Sequence, residues 1–511
     1  MNPLESSPDK TLLITGATSG IGLELARQYQ GEYRLVLLGR KALSELDDPV
    51  FTSDTYCRCD LSKPDCAEIV KAFLFDHGID TLNGLIHNAG LGDYAALTLQ
   101  SEETVDTLLH VNLYAPIRLT HALLPRLEVG GMLAFVNSVA ADLPVADYAV
   151  YGATKAALSG FARNLRLEEP GLEIFSVYPG AVRTPMHAKS GVPADQLGKR
   201  LPSAEHVAKR IKRELRGEGR EISLGLSNRV LRQFGRRFER FTDMVSPSGK
   251  SALELELQPK SMAQRCLITG AASGIGKALA WRHAHAGDHV IAVDRDVLPE
   301  SLASHPNVSF VQLDLSEPDA AAKLNAQLTQ PLTWVVHSAG ISEVGPFAAS
   351  DIAAQIDVLD INLRAPLQLT RMLLANNHLM QDGSFAFVSS LSHFVSYPGA
   401  SVYAASKDGL SSYARSLRSA LTDVNVLSVF PGPTRTPHAA RYSPDTSREG
   451  KRMPPEVLAQ RIARALERRQ RRLIPSLALR LFAGLGRWFP TVVERVMLKT
   501  LYEPLKRSAK K

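Results

Sequence analysis

Thr15-Gly-Ala-Thr-Ser-Gly-Ile-Gly22 and Thr269-Gly-Ala-Ala-Ser-Gly-Ile-Gly276 are two copies of one glycine-rich turn, 254 residues apart in a chain of 511. Each follows a short apolar run. Glycines at Gly16, Gly20 and Gly22, and at Gly270, Gly274 and Gly276, let the backbone bend sharply and approach a pyrophosphate, whose charge then meets the N-terminus of the next helix. Thr18, Ser19 and Ile21 in the first turn, and Ser273 and Ile275 in the second, share that approach. One such turn is a weak signal, because a bare glycine turn can simply tighten a strand-to-helix corner.

Further pairs follow in the same order, with offsets between 250 and 254. Cys59-Asp60-Leu61-Ser62 answers Leu313-Asp314-Leu315-Ser316, and His87-Asn88-Ala89-Gly90 answers His337-Ser338-Ala339-Gly340. Asn112 answers Asn362, Tyr151-x-x-x-Lys155 answers Tyr403-x-x-x-Lys407, and Pro179-Gly180 answers Pro431-Gly432. The chain is one unit written twice. The Ser-, Pro- and Gly-containing stretch 246–261 reads as a linker, which predicts domains at 1–245 and 262–511. In each unit near-continuous apolar strands alternate with helical stretches: Leu12–Thr15, Leu35–Leu38, Leu85–His87, Met132–Asn137 and Ile174–Tyr178 in the first, with counterparts in the second. That pattern predicts α/β architecture, two consecutive doubly wound parallel-sheet (Rossmann) domains, each ending in amphipathic helices.

The end of the second strand faces the adenosine ribose in such a fold, where an acid accepts from the 2′-hydroxyl and a base accommodates a 2′-phosphate. The second unit has Asp294 there and predicts NAD. The first reads Gly39-Arg40 and predicts NADP; ungapped alignment sets Arg40 on Asp294 and a one-residue shift sets Gly39 there. Asp60 and Asp314 end the third strands, within reach of an adenine amino group. Asn88-Ala89-Gly90 and Ser338-Ala339-Gly340 end the fourth, where small residues leave room for a ribose.

Ser138, Tyr151 and Lys155 recur as Ser390, Tyr403 and Lys407, with thirteen residues from Ser to Tyr in both. Tyr and Lys four apart share one helix face. A tyrosine of ordinary pKa, about 10, is a poor base near neutrality, and a neighbouring ammonium favours its phenolate. Tyr then exchanges a proton with a carbonyl or alcohol oxygen that Ser holds. Lys also reaches the nicotinamide ribose, and Asn112 and Asn362 hold a water that links Lys to solvent. Tyr148 competes with Tyr151, but only Tyr151 stands four residues before Lys155.

Both halves thus resemble the short-chain dehydrogenase/reductase family in its compact one-domain form. The resemblance covers each whole unit and implies catalytic roles for Asn112, Ser138, Tyr151 and Lys155, and for Asn362, Ser390, Tyr403 and Lys407. It also implies cofactor contacts at Pro179, Gly180 and Thr184, and at Pro431, Gly432 and Thr436. Ser338 departs from the family's usual Asn, which weakens the expected hold on the second cofactor. Family members usually pair through the helices flanking Tyr, which implies an intramolecular pseudo-dimer here, with or without further homodimerisation.

At 45% hydrophobic and 22% charged, the composition is that of a globular protein. The N-terminus lacks the basic flank and apolar core of a secretory signal, and four Cys fit a reducing compartment, so the expected location is cytoplasmic. Cys57, Cys59 and Cys66 cluster without a matching fourth ligand, and no metal is expected. The net charge of +7 is uneven: residues 451–511 hold 16 Lys or Arg against 4 Glu, a net of +12 that leaves the rest at −5. Leu226, Val230, Phe234, Phe238 and Phe241 fall at helical spacing among arginines, as do Leu481, Leu485, Trp488, Phe489, Val492, Val493 and Val496. Such helices either lie peripherally in a membrane interface, roof the substrate cleft, or pack on a partner subunit. No stacking platform accompanies the charge, and nucleic acid is not an expected partner.

The resulting expectation is an oxidoreductase that interconverts carbonyl and secondary alcohol on a hydrophobic, lipid-like substrate at two sites. Two alternatives stay open: a redox-coupled epimerase using both units in sequence, and a non-catalytic cofactor-binding scaffold or sensor in one unit.

Overall fold

A computed structural model describes residues 9–193, 201–239, 242, 264–442 and 449–508. The expected linker 246–261, together with Arg240 and Phe241, lies outside the described residues. Strands β1 (Thr11–Thr15), β2 (Arg34–Gly39), β3 (Tyr56–Arg58), β4 (Leu82–His87), β5 (Leu127–Val136), β6 (Glu173–Tyr178) and β7 (Glu221–Ser223) form a parallel sheet in the order β3-β2-β1-β4-β5-β6-β7. The second unit repeats it as β10-β9-β8-β11-β12-β13-β14, from β8 (Arg265–Thr269), β9 (His289–Asp294), β10 (Val308–Gln312), β11 (Leu332–His337), β12 (Leu379–Val388), β13 (Asn425–Val429) and β14 (Arg472–Leu473). The strand order reverses between β1 and β4 and between β8 and β11. A crevice therefore opens at the carboxyl ends of those strands, where ligands bind in open α/β sheets.

The long helices Ala149–Glu168 and Ser401–Ala420 pack against each other, antiparallel. Small residues permit the close approach. A methyl built on Gly160 would stand 2.3 Å from Asp408 Oδ2, and one on Gly409 would stand 3.0 Å from the Ala153 carbonyl. One buried apolar cluster runs from the first sheet through both helices into the second.

Polar groups lock this interface. Arg364 forks onto Asp106 at 2.8 and 2.9 Å, and Tyr114 donates to Asp360 at 2.8 Å. Glu168, at the end of the first long helix, accepts from the backbone N–H of Phe347 (2.9 Å) and Gly399 (2.8 Å) and from the Ser401 hydroxyl. Burial pushes its carboxyl up to about 7 against those hydrogen bonds. Among the described residues no helix is long and apolar enough to cross a membrane. The four cysteines are free and buried, with burial pushing each thiol upward; Cys66 opens the helix Cys66–Asp76 and its carbonyl accepts from the Cys59 thiol.

Candidate active site

The glycine turn is fixed to the neighbouring strand by a threonine. Thr15, the last residue of β1, accepts at its hydroxyl from the N–H of Asn88 and Ala89 beyond β4, both at 3.0 Å. Gly16 has φ +65°, and a methyl there would stand 2.7 Å from Ala89 Cα, so only glycine closes the gap. Asn88 Nδ2 adds bonds to the carbonyls of Thr15 (3.1 Å) and Gly16 (3.2 Å). In the second unit Thr269 repeats the clamp on Ser338 and Ala339, both at 3.1 Å. A serine side chain is too short to repeat the two Asn88 side-chain bonds. Thr184 and Thr436, from the loops after β6 and β13, lie over Gly20 and Gly274, their methyls 3.2 and 3.1 Å from where a Cβ would stand.

The strand register fixes which residue of the first unit matches Asp294. Thr15 pairs with Leu38 and Thr269 with Val293, so Gly39 and Asp294 are equivalent, and Arg40 matches Arg295 rather than Asp294. Asp294 accepts from the N–H of Ala272 (2.8 Å) and Asp296 (3.0 Å), which presents its carboxylate at the crevice. In the first unit a methyl on Gly39 would collide with Thr18 Cγ2 at 2.3 Å, so the Thr18 side chain fills the place of the carboxylate. Arg40 is exposed beside Asp60 and helps to hold that carboxyl low. Burial would raise Asp60, but bonds from Ser62 N–H and Oγ outweigh it; Asp314 has the same arrangement with Ser316.

Asn112 lies in a π-turn, His110–Tyr114, and clips the loop after β4: it accepts from Leu91 N–H at 2.8 Å and donates to Leu91 O at 2.9 Å. Asn362, in the π-turn Asp360–Arg364, treats Ile341 alike at 2.9 Å in both directions. A methyl on Gly90 would stand 3.3 Å from Lys155 Nζ and 3.5 Å from Asn112 Oδ1, so the ammonium and the amide flank the same glycine. Lys155 and Lys407 donate to the carbonyls of Val136 and Val388 at 3.1 Å. Tyr151 and Tyr403 bond Ser138 and Ser390; burial pushes both phenols up to about 12, opposed by those bonds. Tyr148 is occupied elsewhere, its hydroxyl 2.9 Å from Ser190 Oγ.

Burial alone lowers Lys155 from 10.5 to about 8, and Lys407 equally. Between those two values the unfolded chain binds more protons than the native one. Native stability therefore rises with pH through that window, and the cost of the buried ammonium is present in full below about pH 8. Lys155→Met is expected to raise the unfolding free energy by about 2 kcal/mol at pH 7, after allowing for the lost bond to Val136. Urea unfolding at pH 7 and pH 10.5 checks this, since the advantage should vanish at the higher pH.

A cavity of about 680 Å³ in the second unit runs from Asp294 and Asp314, past Gly274 and Gly340, to Tyr403, Lys407, Pro431 and Thr436. The residues expected to hold a dinucleotide thus line one continuous crevice of suitable size. Its far end carries groups the sequence did not single out. His438 sits beside Tyr403, ring centroids 6.2 Å apart, and burial lowers it to about 4. Phe482, Met497 and Leu501 close the mouth from the tail helices, and a methyl on Gly432 would stand 2.8 Å from Leu479. In the first unit Asn228 takes the place of Leu479 at Gly180, and Tyr148 meets the Tyr151 ring edge-on with Tyr94 tilted against Tyr148 in turn. No motif marks these positions, because each reaches the site only through packing.

A model of the short chain dehydrogenase family matches residues 10–193 and again 264–447. Dehydrogenase/reductase SDR family member 4 of Bos taurus is 31% identical over 196 residues, 36% of this chain and 68% of that protein. Serine 3-dehydrogenase of Agrobacterium fabrum is 34% identical over 181 residues, 34% of this chain and 72% of that protein. The N-terminal domain of a bacterial malonyl-CoA reductase, solved with NADP, superposes with a TM-score of 0.61 over 92% of this chain and 98% of its own, at 16% identity. That likeness extends to the tandem arrangement of the fold.

Proposed function

The chain belongs to the short-chain dehydrogenase/reductase family in both halves and is an NAD(P)-dependent oxidoreductase, and from that premise we propose that both sites interconvert a carbonyl and a secondary alcohol on a hydrophobic, lipid-like substrate. The observation that carries this reading is the complete Asn, Ser, Tyr and Lys set at the end of each crevice. The nicotinamide cofactor supplies or takes the hydride. Ser138 and Ser390 hold the substrate oxygen. Tyr151 and Tyr403 give it a proton during reduction, when their high pKa keeps them protonated, and remove one during oxidation. Lys155 and Lys407 favour the phenolate, and Asn112 and Asn362 hold a water that links each lysine to solvent. The apolar mouth formed by Phe482, Met497 and Leu501 supports a hydrophobic substrate. Intact acid/base sets in both units speak against a scaffold or sensor, which has no use for them.

We assign NADP(H) to the first unit and NAD(H) to the second, on Gly39 and Arg40 against Asp294. Asp294→Gly is expected to shift the second unit's preference toward NADP by about a hundredfold, because a carboxylate facing a 2′-phosphate costs several kcal/mol. Steady-state kinetics with both cofactors in a Tyr151→Phe background measure it; an unchanged ratio would sink the assignment. Turnover of a panel of apolar alcohols and ketones tests the activity, and binding of both cofactors without turnover would favour a sensor. The units, at 1–245 and 262–511, act as an intramolecular pair. Opposite cofactors on one substrate would let oxidation at one site and reduction at the other invert an alcohol centre.

A further inference from the structure

Amphipathic helices in water bury their apolar face and expose charge. Helix Leu226–Arg237 does the reverse. Arg232 is 4% exposed, donates to Asp142 at 2.6 Å and to Ser223 Oγ at 2.8 Å, and lies 3.1 Å from the centre of the Tyr178 ring. Leu226, Val230, Leu231, Phe234 and Phe238 point outward, Leu226 at 78% exposure.

In the second unit the tail helices bury one apolar side, with Phe482, Ala483 and Val493, and expose another. Helix Leu477–Trp488 seats Ala483 and Gly486 inward, where a methyl on Gly486 would stand 2.3 Å from the Phe394 carbonyl. Arg487 turns inward onto Glu239 at 2.6 Å. Leu481 (63% exposed), Leu485 and Trp488 face out, continued by Val492 and Val496 on helix Pro490–Met497. The two faces meet: Phe238 stands edge-on to Trp488 at 6.3 Å, and the Arg237 guanidinium lies 5.3 Å from the Trp488 ring centre. Twelve of the twenty large apolar side chains exposed among the described residues lie on these helices. A patch of this kind on a folded protein marks an interaction surface.

We propose that the two units together present one surface that seats on a bilayer of anionic lipid, a proposal that deepens the hydrophobic-substrate reading above. Charge selects the occupant. Arg229, Arg237, Arg480, Arg495 and Lys499 are exposed around the apolar face. An isologous contact with a second copy would set these cations against one another, whereas anionic headgroups neutralise them while the apolar residues enter the acyl boundary. The same helices put Phe482, Met497 and Leu501 on the mouth of the second crevice. A lipid-dissolved alcohol or ketone would therefore reach Tyr403 without crossing water.

The test is co-sedimentation of the full chain with vesicles of phosphatidylcholine alone and of phosphatidylcholine with phosphatidylglycerol, read also by the emission of Trp488 in a chain whose other two tryptophans, Trp281 and Trp334, are replaced by Phe. Binding to the anionic vesicles is expected to be stronger by on the order of a hundredfold and to weaken with added salt. The double variants Val230→Gln/Phe234→Gln and Leu481→Gln/Leu485→Gln change only exposed positions. Each should lose about tenfold in vesicle affinity while turning over a small water-soluble ketone as before. Equal pelleting with neutral and anionic vesicles, or variants that bind unchanged, would overturn the proposal. So would a chain that elutes as a dimer and that the same substitutions convert to a monomer, which would assign the face to a second copy. Vesicle binding does not depend on turnover, so inactivity of the chain toward every alcohol and ketone would overturn the functional reading and leave this one standing.

Discussion

Tyr403→Phe is expected to lower turnover at the second site by about a thousandfold and to leave the first site's turnover unchanged, with Tyr151→Phe doing the converse. The phenol is buried against the chain's own Ser390, so the substitution removes one oxygen and little packing. What disappears is the proton donor and acceptor at the substrate oxygen, while Ser390 and Lys407 stay in place. Assays with NADPH and NADH separate the two sites under the proposed preferences, so each variant should silence one cofactor's reaction. The same pair tests the epimerase reading: either substitution alone should abolish inversion of an alcohol centre. Two single variants with the same cofactor profile, both still inverting configuration, would remove that reading. The pH profile follows from the direction of the shifts. Reduction needs protonated Tyr and stays flat through neutrality, whereas oxidation needs the phenolate and rises with pH toward the raised phenol value.

Glu168→Ala is expected to cost about 3–5 kcal/mol of unfolding free energy, because two buried N–H groups and one hydroxyl lose their acceptor at about 1–3 kcal/mol each. The donors Phe347, Gly399 and Ser401 all belong to the second unit. The loss should therefore appear as a lower urea midpoint for both units together. Glu168→Gln keeps an acceptor and should cost less. Its difference from the native chain is pH-dependent, because the native carboxyl is raised to about 7 from 4.5. Between those values the folded state holds the proton that the unfolded state has lost, so this group's contribution to stability falls as pH rises from 4.5 to 7. The Gln variant should gain on the native chain across that window. A difference that stays constant from pH 4.5 to 8 would show that burial does not govern this carboxyl.

The motif positions were readable because local chemistry fixes them. Glycine at 16 and 270 is demanded by a positive φ and by the approach of Ala89 and Ala339, and the spacing of Tyr and Lys puts both on one helix face. The choice between Gly39 and Arg40 as the partner of Asp294 was not readable. It depends on which residue of β2 pairs with Thr15, and a one-residue slip leaves the apolar pattern of so short a strand almost unaltered. His438 escaped for a different reason: it lies in the short helix Pro437–Tyr442, which acquires meaning only when it packs beside Gly340 and Tyr403.

By itself the sequence determined the duplication and the doubly wound architecture and named the candidate groups of each unit, since turn chemistry, apolar runs and helical spacing act over a few residues. Tertiary structure decided what those local rules leave open. Periodicity shows that the tail helices have an apolar side and a basic side, but which side is inside depends on what waits to receive it. Here Asp142 and Glu239 lie beneath the helices and draw Arg232 and Arg487 inward. Each of these carboxylates takes an arginine onto the inner side of its helix, and Leu226, Val230, Phe234, Leu481, Leu485 and Trp488 are left facing outward.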